Sequence, residues 1–112
     1  MPIYNISAIE DVADGSTEFV QKMIISFISN TPDESLEMLR AIQSKDLESV
    51  KKTAHKIKPS LEMMGATDLI EINHGIEAAV ERKDETEILR LVTSFKVNLE
   101  LLSKQLKDDY SL

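Results

Sequence analysis

The sequence of 112 residues contains no cysteine and no tryptophan, and only three glycines and three prolines. The absence of cysteine excludes disulfides, thiolate nucleophiles and cysteine-ligated zinc sites, and it permits a reducing compartment. Because glycine and proline are so scarce, the chain has no room for linkers or low-complexity tracts. We therefore expect a single domain spanning residues 1–112, long enough to bury one modest core.

Long hydrophobic runs are also missing. No apolar stretch approaches the length of a transmembrane helix, and the N-terminal segment MPIYNISAIEDVADG lacks the basic start and apolar run of a signal peptide. The sequence therefore predicts a soluble, cytoplasmic protein with no membrane role.

Basic residues are fewer than acidic residues, and the formal net charge of the chain is −7. An acidic surface repels phosphate backbones, so nucleic acid is excluded as the main partner. The exception is the segment KKTAHKIK, residues 51–58, which places four lysines around His55, one of only two histidines. Such a run is most often a solvated helix face, and its position beside the histidine is what makes it a candidate site.

Helical periodicity recurs along the whole chain, and no stretch alternates in the manner of a β-hairpin, so the sequence predicts an all-α fold. Capping signals divide the chain into six helices. The first begins at Ser7, with Glu10 completing a capping box, and ends at Gly15; the second begins at Ser16 or Thr17.

The third helix is predicted to begin at Thr31. Thr31 is then the N-cap, Pro32 occupies the first helical position, where a missing N–H costs nothing, and Glu34 completes the capping box. Its apolar side is formed by Leu36, Leu39 and Ile42.

The remaining three helices have clear boundaries. Asp46 caps the fourth, Gly65 ends it, Thr67 begins the fifth, and Asp84 with Glu87 opens the sixth. The apolar residues of the sixth helix step by four and three, as in a long helix of a bundle: Ile88, Val92, Phe95, Leu99, Leu102 and Leu106. Short loops imply antiparallel neighbours, so we expect an antiparallel four-helix bundle built mainly from helices three to six, with additional N-terminal helices.

His55 is predicted to face solvent. At about 100° per residue it lies about 130° from the apolar stripe of the fourth helix, with Lys51 and Lys58 flanking its direction. Pro59 and Met63 run down the same exposed side, and Pro59 cannot donate a hydrogen bond to the carbonyl of His55. If the imidazole carried a phosphoryl group, Lys58 could reach its oxygens as a cationic donor.

The segment AHKIKPSLEMMGATDL resembles the signature of histidine-containing phosphotransfer (HPt) domains. In that signature a histidine is followed by lysine three residues on, then glycine and serine, with a downstream Gly-Ala pair and a leucine three residues after it. The matching residues are His55, Lys58, Ser60, Gly65, Ala66 and Leu69, and Glu77 lies where the family often has glutamate. Pro59 departs from the pattern, because the family usually has glycine there.

The resemblance implies a phosphoryl carrier in a two-component phosphorelay. A phosphoryl group would pass from the aspartate of one response-regulator receiver domain to His55 and then to another receiver aspartate, downstream of a hybrid sensor histidine kinase. Lys58 would stabilise the phosphate, and Gly65 would be a structural residue of the motif. We expect Lys51, Pro59, Ser60 and Met63 to form the docking surface, although Ser60 equally fits a helix-spacing role.

The resemblance also implies that the chain has no nucleotide site, no autokinase activity and no cofactor of its own. No glycine-rich phosphate loop or magnesium-binding acidic cluster is present in the sequence, so magnesium is expected on the partner receiver domain. We expect a monomer, although the sequence does not exclude a dimer.

Two other functions are alternatives to the phosphoryl carrier. Glu71 and His74 have the E-x-x-H spacing of helical-bundle di-iron proteins, but such a site needs two pairs of this kind, and Lys52 precedes His55 at the place where a glutamate is required. The second alternative is a helical-bundle protein-interaction module without phosphotransfer, in which His55 is incidental.

Overall fold

A computed structural model describes residues 4–112 and contains, within that range, five helices and no strand. The helices are α1 (Ser7–Ala13), α2 (Thr17–Gln43), α3 (Leu47–Met63), α4 (Thr67–Glu81) and α5 (Glu85–Asp109). Each of α2, α3 and α4 contacts the next helix, and α5 returns to contact α2, which closes an antiparallel four-helix bundle. The all-α prediction is confirmed, and α1 packs against α2 outside the ring. None of the described helices is long and apolar enough to cross a bilayer.

The predicted boundary at Thr31 is wrong, because the second and third predicted helices form the single helix α2, with Pro32 inside it. Thr31 is not an N-cap: its side chain is buried and its hydroxyl donates to the carbonyl of Phe27 at 2.5 Å. Pro32 lies on the exposed face of the helix. The buried side of α2 continues past the proline, and its packing offsets the lost backbone hydrogen bond. The buried residues are Ile24, Phe27, Thr31, Ser35, Met38 and Ile42.

Most of the other predicted caps are confirmed, with one exception at α1. The side chains of Ser16, Asp46 and Asp84 each accept a hydrogen bond from a backbone N–H of the first turn of α2, α3 and α5. The predicted capping box of Ser7 and Glu10 is wrong. Asn5 performs the capping instead, since its Oδ1 accepts from both the backbone N–H and the hydroxyl of Ser7.

The core lies along the axis of the bundle, and the apolar stripes of α3 and α5 supply much of it. All six apolar positions predicted for the last helix are buried. In α3 the buried positions include Val50, Ala54, Ile57 and Leu61. Because α3 uses this face for the core, its opposite face is available for the site described below.

Gly65 ends α3 in the left-handed conformation, with φ of +57°. The N-terminal segment packs directly on this turn, where the amide of Asn5 donates to the carbonyl of Met64 at 2.8 Å. A Cβ at position 65 would lie 2.5 Å from the backbone oxygen of Asn5. Glycine is therefore required here both by the backbone conformation and by the close approach of the N-terminal segment.

Candidate functional site

His55 lies near the middle of α3 with its side chain exposed. The neighbouring residues Thr53, Ala54 and Ile57 are buried, so the imidazole projects from the side of the helix opposite the core. This orientation is the one predicted from the helical periodicity. An imidazole placed in this way can be approached by a large molecule without any movement of the bundle.

Lys58, one turn after His55, forms an ion pair with Glu77 of α4. The Nζ of Lys58 lies 3.2 Å from Oε1 of Glu77, and the two side chains are only 31% and 28% exposed. Partial burial reduces solvent screening of this pair relative to a fully exposed one. The contact holds the ammonium group of Lys58 on the α4 side of α3.

Two of the other lysines near His55 are also paired, each with a neighbouring helix. Lys51 lies 3.3 Å from Glu81 of α4, and Lys56 lies 3.1 Å from Glu37 of α2. Both pairs are more than half exposed and contribute at most about 1 kcal/mol each. The positive charge that the sequence concentrates around His55 is thus largely balanced by acidic residues of the flanking helices.

His55 borders an open depression between α3 and α4. The other residues along it are Glu48, Lys51, Lys52 and Glu77. Both acidic and basic side chains line the depression, which is open to solvent. This surface can receive an anionic group on the histidine, with lysine ammonium groups on two sides of it.

A buried hydrogen bond joins α3 and α4 beneath the histidine. The Nδ2 of Asn73 donates to the backbone carbonyl of Ala54 at 2.9 Å, and the Asn73 side chain is almost fully buried. Ala54 directly precedes His55. The bond therefore fixes α4 against the turn of α3 that carries the imidazole.

The residues predicted for docking do not all lie together. Ser60 and Met63 border a shallow groove toward α2, whose other residues include Phe27 and Glu34, whereas Lys51 faces α4. Pro59 is exposed between these two sides, and Met63 is 37% exposed. Burial raises the pKa of the Glu34 carboxyl, although the nearby Lys56 lowers it in part.

The acidic partners of the lysines are the part of the site that the sequence analysis missed. The sequence points to Glu77 only as a match to the family pattern, and it does not point to Glu37, Glu81 or the buried Asn73. The available signal was the excess of glutamate on the helices that flank α3. It identifies the glutamates that pair with the lysines only when the rotation of each helix is known.

The di-iron alternative finds no support in the geometry. Glu71 and His74 are both exposed on α4, and within residues 4–112 no group of three or more potential metal-ligating side chains comes together. A metal site of that class requires carboxylates and histidines converging inside the bundle.

Comparison with known proteins identifies the family. The family model described as the Hpt domain matches residues 22–110, well over half of the chain, and this range includes α3, α4 and α5 with the site around His55. Searches of curated proteins and of solved structures found no significant match. Hpt domains act in histidine phosphotransfer within phosphorelays and interact there with receiver domains and kinases. The chain belongs to the Hpt domain family.

Proposed function

We propose that His55 accepts a phosphoryl group from the aspartate of one response-regulator receiver domain and passes it to the aspartate of another. The observation that carries this proposal is the exposed imidazole of His55, placed one turn from Lys58 within the matched range. His74, the other histidine, lies on α4 and has no lysine within four residues on either side along the chain. His55 is therefore the better candidate for the phosphorylated residue.

The transfer is a displacement at phosphorus. The lone pair of Nε2 forms the N–P bond while the P–O bond to the receiver aspartate breaks and leaves its electron pair on the carboxylate. The ring keeps its proton on Nδ1, and transfer to the second receiver restores the neutral imidazole. We propose that the receiver supplies magnesium and the remaining catalytic groups, and that this chain supplies the nucleophile and the surrounding charge.

Lys58 is proposed to stabilise the phosphoryl group on His55. Its ammonium is held by Glu77 in the present structure, at one turn from the histidine. The Lys58 side chain is flexible enough to turn from the carboxylate to a phosphoryl group that carries more negative charge. Lys58 would then exchange one charge-assisted contact for another.

The proposal is tested by mixing the purified protein with a phosphorylated receiver domain. Phosphotransfer predicts radiolabel on this chain that is lost in acid and kept in base, as expected for phosphohistidine. The alternative, an interaction module without phosphotransfer, predicts a complex with the receiver but no label. The absence of label with every receiver that binds the protein would reject the carrier.

Replacement of Lys58 by alanine is expected to slow loading and to shorten the lifetime of the phosphoryl group. A charge-assisted contact is worth about 1.5 to 3 kcal/mol, and the partial exposure of Lys58 places the expected effect near the lower limit, about tenfold in rate. Rapid-quench loading and a decay time course measure the two effects.

Lys56→Ala is the matched control for that measurement. Lys56 also lies on α3 and is also paired with a glutamate, but it reaches toward α2. Its removal should leave loading and decay unchanged. Equal kinetics in the Lys58 and Lys56 variants would remove the role assigned to Lys58.

Pro59 and Met63 are proposed as an apolar docking strip beside His55, because both are exposed on the same side of α3. Truncating a docking contact weakens the complex more than it slows transfer within it. Pro59→Ala and Met63→Ala should each raise the receiver concentration for half-saturation with little change in the maximal rate of transfer.

Leu101→Ala provides the control for the strip. Leu101 is 49% exposed on α5, the helix diagonally opposite α3 in the bundle, so its loss should not change the saturation curve. If Pro59→Ala and Met63→Ala both follow the wild-type curve, the strip does not dock the receiver and the helix merely tolerates the proline.

A further inference from the structure

A cleft between α2 and α5 lies on the far side of the bundle from His55. It has a volume of about 330 Å³, at the lower end of the range of ligand pockets, which is about 300 to 1,000 Å³. Helix α5 is not a neighbour of α3 in the ring, so the cleft is separate from the phosphotransfer site. The groups that line it have no role in the proposed phosphotransfer.

Two buried hydroxyl groups line the cleft, one on each of its walls. Ser35 of α2 is 1% exposed and Ser103 of α5 is 9% exposed, and neither Oγ has a hydrogen-bond partner within the described part of the chain. A buried hydroxyl without a partner costs about 1 to 3 kcal/mol. A pair of such groups lining one cavity indicates that something which occupies the cavity satisfies them.

Apolar side chains also line the cleft. Ile28 and Pro32 contribute from α2, and Leu99 contributes from α5. Pro32 also cannot donate a backbone hydrogen bond to the carbonyl of Ile28, so both ends of that interrupted bond lie beside the cleft. Water alone would satisfy the serine hydroxyls but would gain nothing from these apolar walls.

The cleft is also bordered by positive charge, in a chain whose net charge is −7. Lys104 and Lys107 lie one turn apart on α5, and within residues 4–112 neither has a carboxylate at ion-pair distance. Lys96 and Glu100 also border the cleft, but they pair with each other at 2.8 Å. Two ammonium groups are therefore available to an anion bound in the cleft.

We propose that the cleft binds a small organic anion, a carboxylate whose apolar body carries a second oxygen. The carboxylate would lie between Lys104 and Lys107, the body would pack against Ile28 and Leu99, and the second oxygen would accept hydrogen bonds from Ser35 and Ser103. Each type of group lining the cleft then has a partner of matching chemistry.

Titration of the full-length, isotopically labelled protein followed by amide NMR tests the proposal. The probes are ω-hydroxyoctanoate, octanoate without the hydroxyl, and octanediol without the charge. We expect ω-hydroxyoctanoate to shift the amide signals of residues lining the cleft and to bind about tenfold more tightly than either other probe. Equal affinity of the three probes, or the absence of saturable shifts at the cleft, would overturn the proposal in favour of a water-filled cavity.

Two double variants locate the binding. Lys104→Gln with Lys107→Gln should weaken ω-hydroxyoctanoate about tenfold and abolish its advantage over octanediol. Ser35→Ala with Ser103→Ala should abolish its advantage over octanoate. The matched control is Lys22→Gln, which removes an exposed lysine near the start of α2 and should leave the affinity unchanged. A wild-type affinity in the lysine double variant, whose altered side chains are exposed and not needed for folding, would also reject the proposal.

Discussion

The His55→Gln variant is expected to take up no phosphate from a phosphorylated receiver while its fold stays intact. Glutamine removes the ring nitrogen that forms the N–P bond and leaves a polar side chain of similar reach. Because His55 is exposed, the free energy of unfolding should change by no more than about 0.5 kcal/mol. Radiolabel transfer and thermal unfolding followed by circular dichroism measure the two quantities in the same preparation.

His74→Gln is the matched control, since His74 is the other histidine and is also exposed on a helix surface. This variant should load phosphate like the wild-type protein. Label retained by His55→Gln and lost by His74→Gln would transfer the phosphorylated position to α4 and reject the proposed role of His55.

The Gly65→Ala variant is expected to lose about 1.5 to 3.5 kcal/mol of folding free energy, the largest stability change proposed for this chain. Left-handed backbone costs a residue with a Cβ about 1 to 2 kcal/mol. The added Cβ would also lie 2.5 Å from the backbone oxygen of Asn5. The Asn5 backbone would have to move, and its N–H would lose the hydrogen bond that it donates to the carbonyl of Met64, at a cost of about 0.5 to 1.5 kcal/mol. Urea denaturation at constant pH gives the difference.

Gly15→Ala separates the two contributions. Gly15 also has positive φ, +86°, but a Cβ there would meet no atom within 4 Å. The cost of left-handed backbone should therefore lower the stability of both variants. The additional loss from the contact with Asn5 should appear only in Gly65→Ala. Equal destabilisation of the two variants would mean that the contact with Asn5 adds nothing to stability.

Local signals in the sequence predict most of the fold. Asp46 and Asp84 cap α3 and α5 because a short acidic side chain accepts from the backbone of its own first turn, and this interaction needs no other part of the chain. The boundary at Thr31 could not be predicted correctly in the same way. Thr-Pro reads locally as a helix start, and only packing of the continuous buried side of α2 against its neighbours makes one long helix more favourable.

In the candidate site, too, features set by a single helix can be predicted from the sequence, and features set by packing cannot. The exposure of His55 follows from the rotation of a single helix relative to its apolar stripe, so periodicity is sufficient to predict it. The pairing of Lys58 with Glu77 depends on how α3 and α4 are aligned along their axes, and no local pattern in either helix contains that information. The phosphorylated residue and the docking residues remain predictions of the sequence.

The Asn73 amide limits axial sliding between α3 and α4. A slip of one residue moves a helix by about 1.5 Å, which would lengthen the 2.9 Å bond to the Ala54 carbonyl and so weaken or break a polar contact in a dry interface. Such a slip is opposed by about 1 to 3 kcal/mol. The bond therefore favours one axial alignment of the histidine-bearing turn of α3 and the glutamate-bearing turn of α4. A receiver that docks before His55 is phosphorylated and one that docks afterwards would meet the same relative placement of α3 and α4.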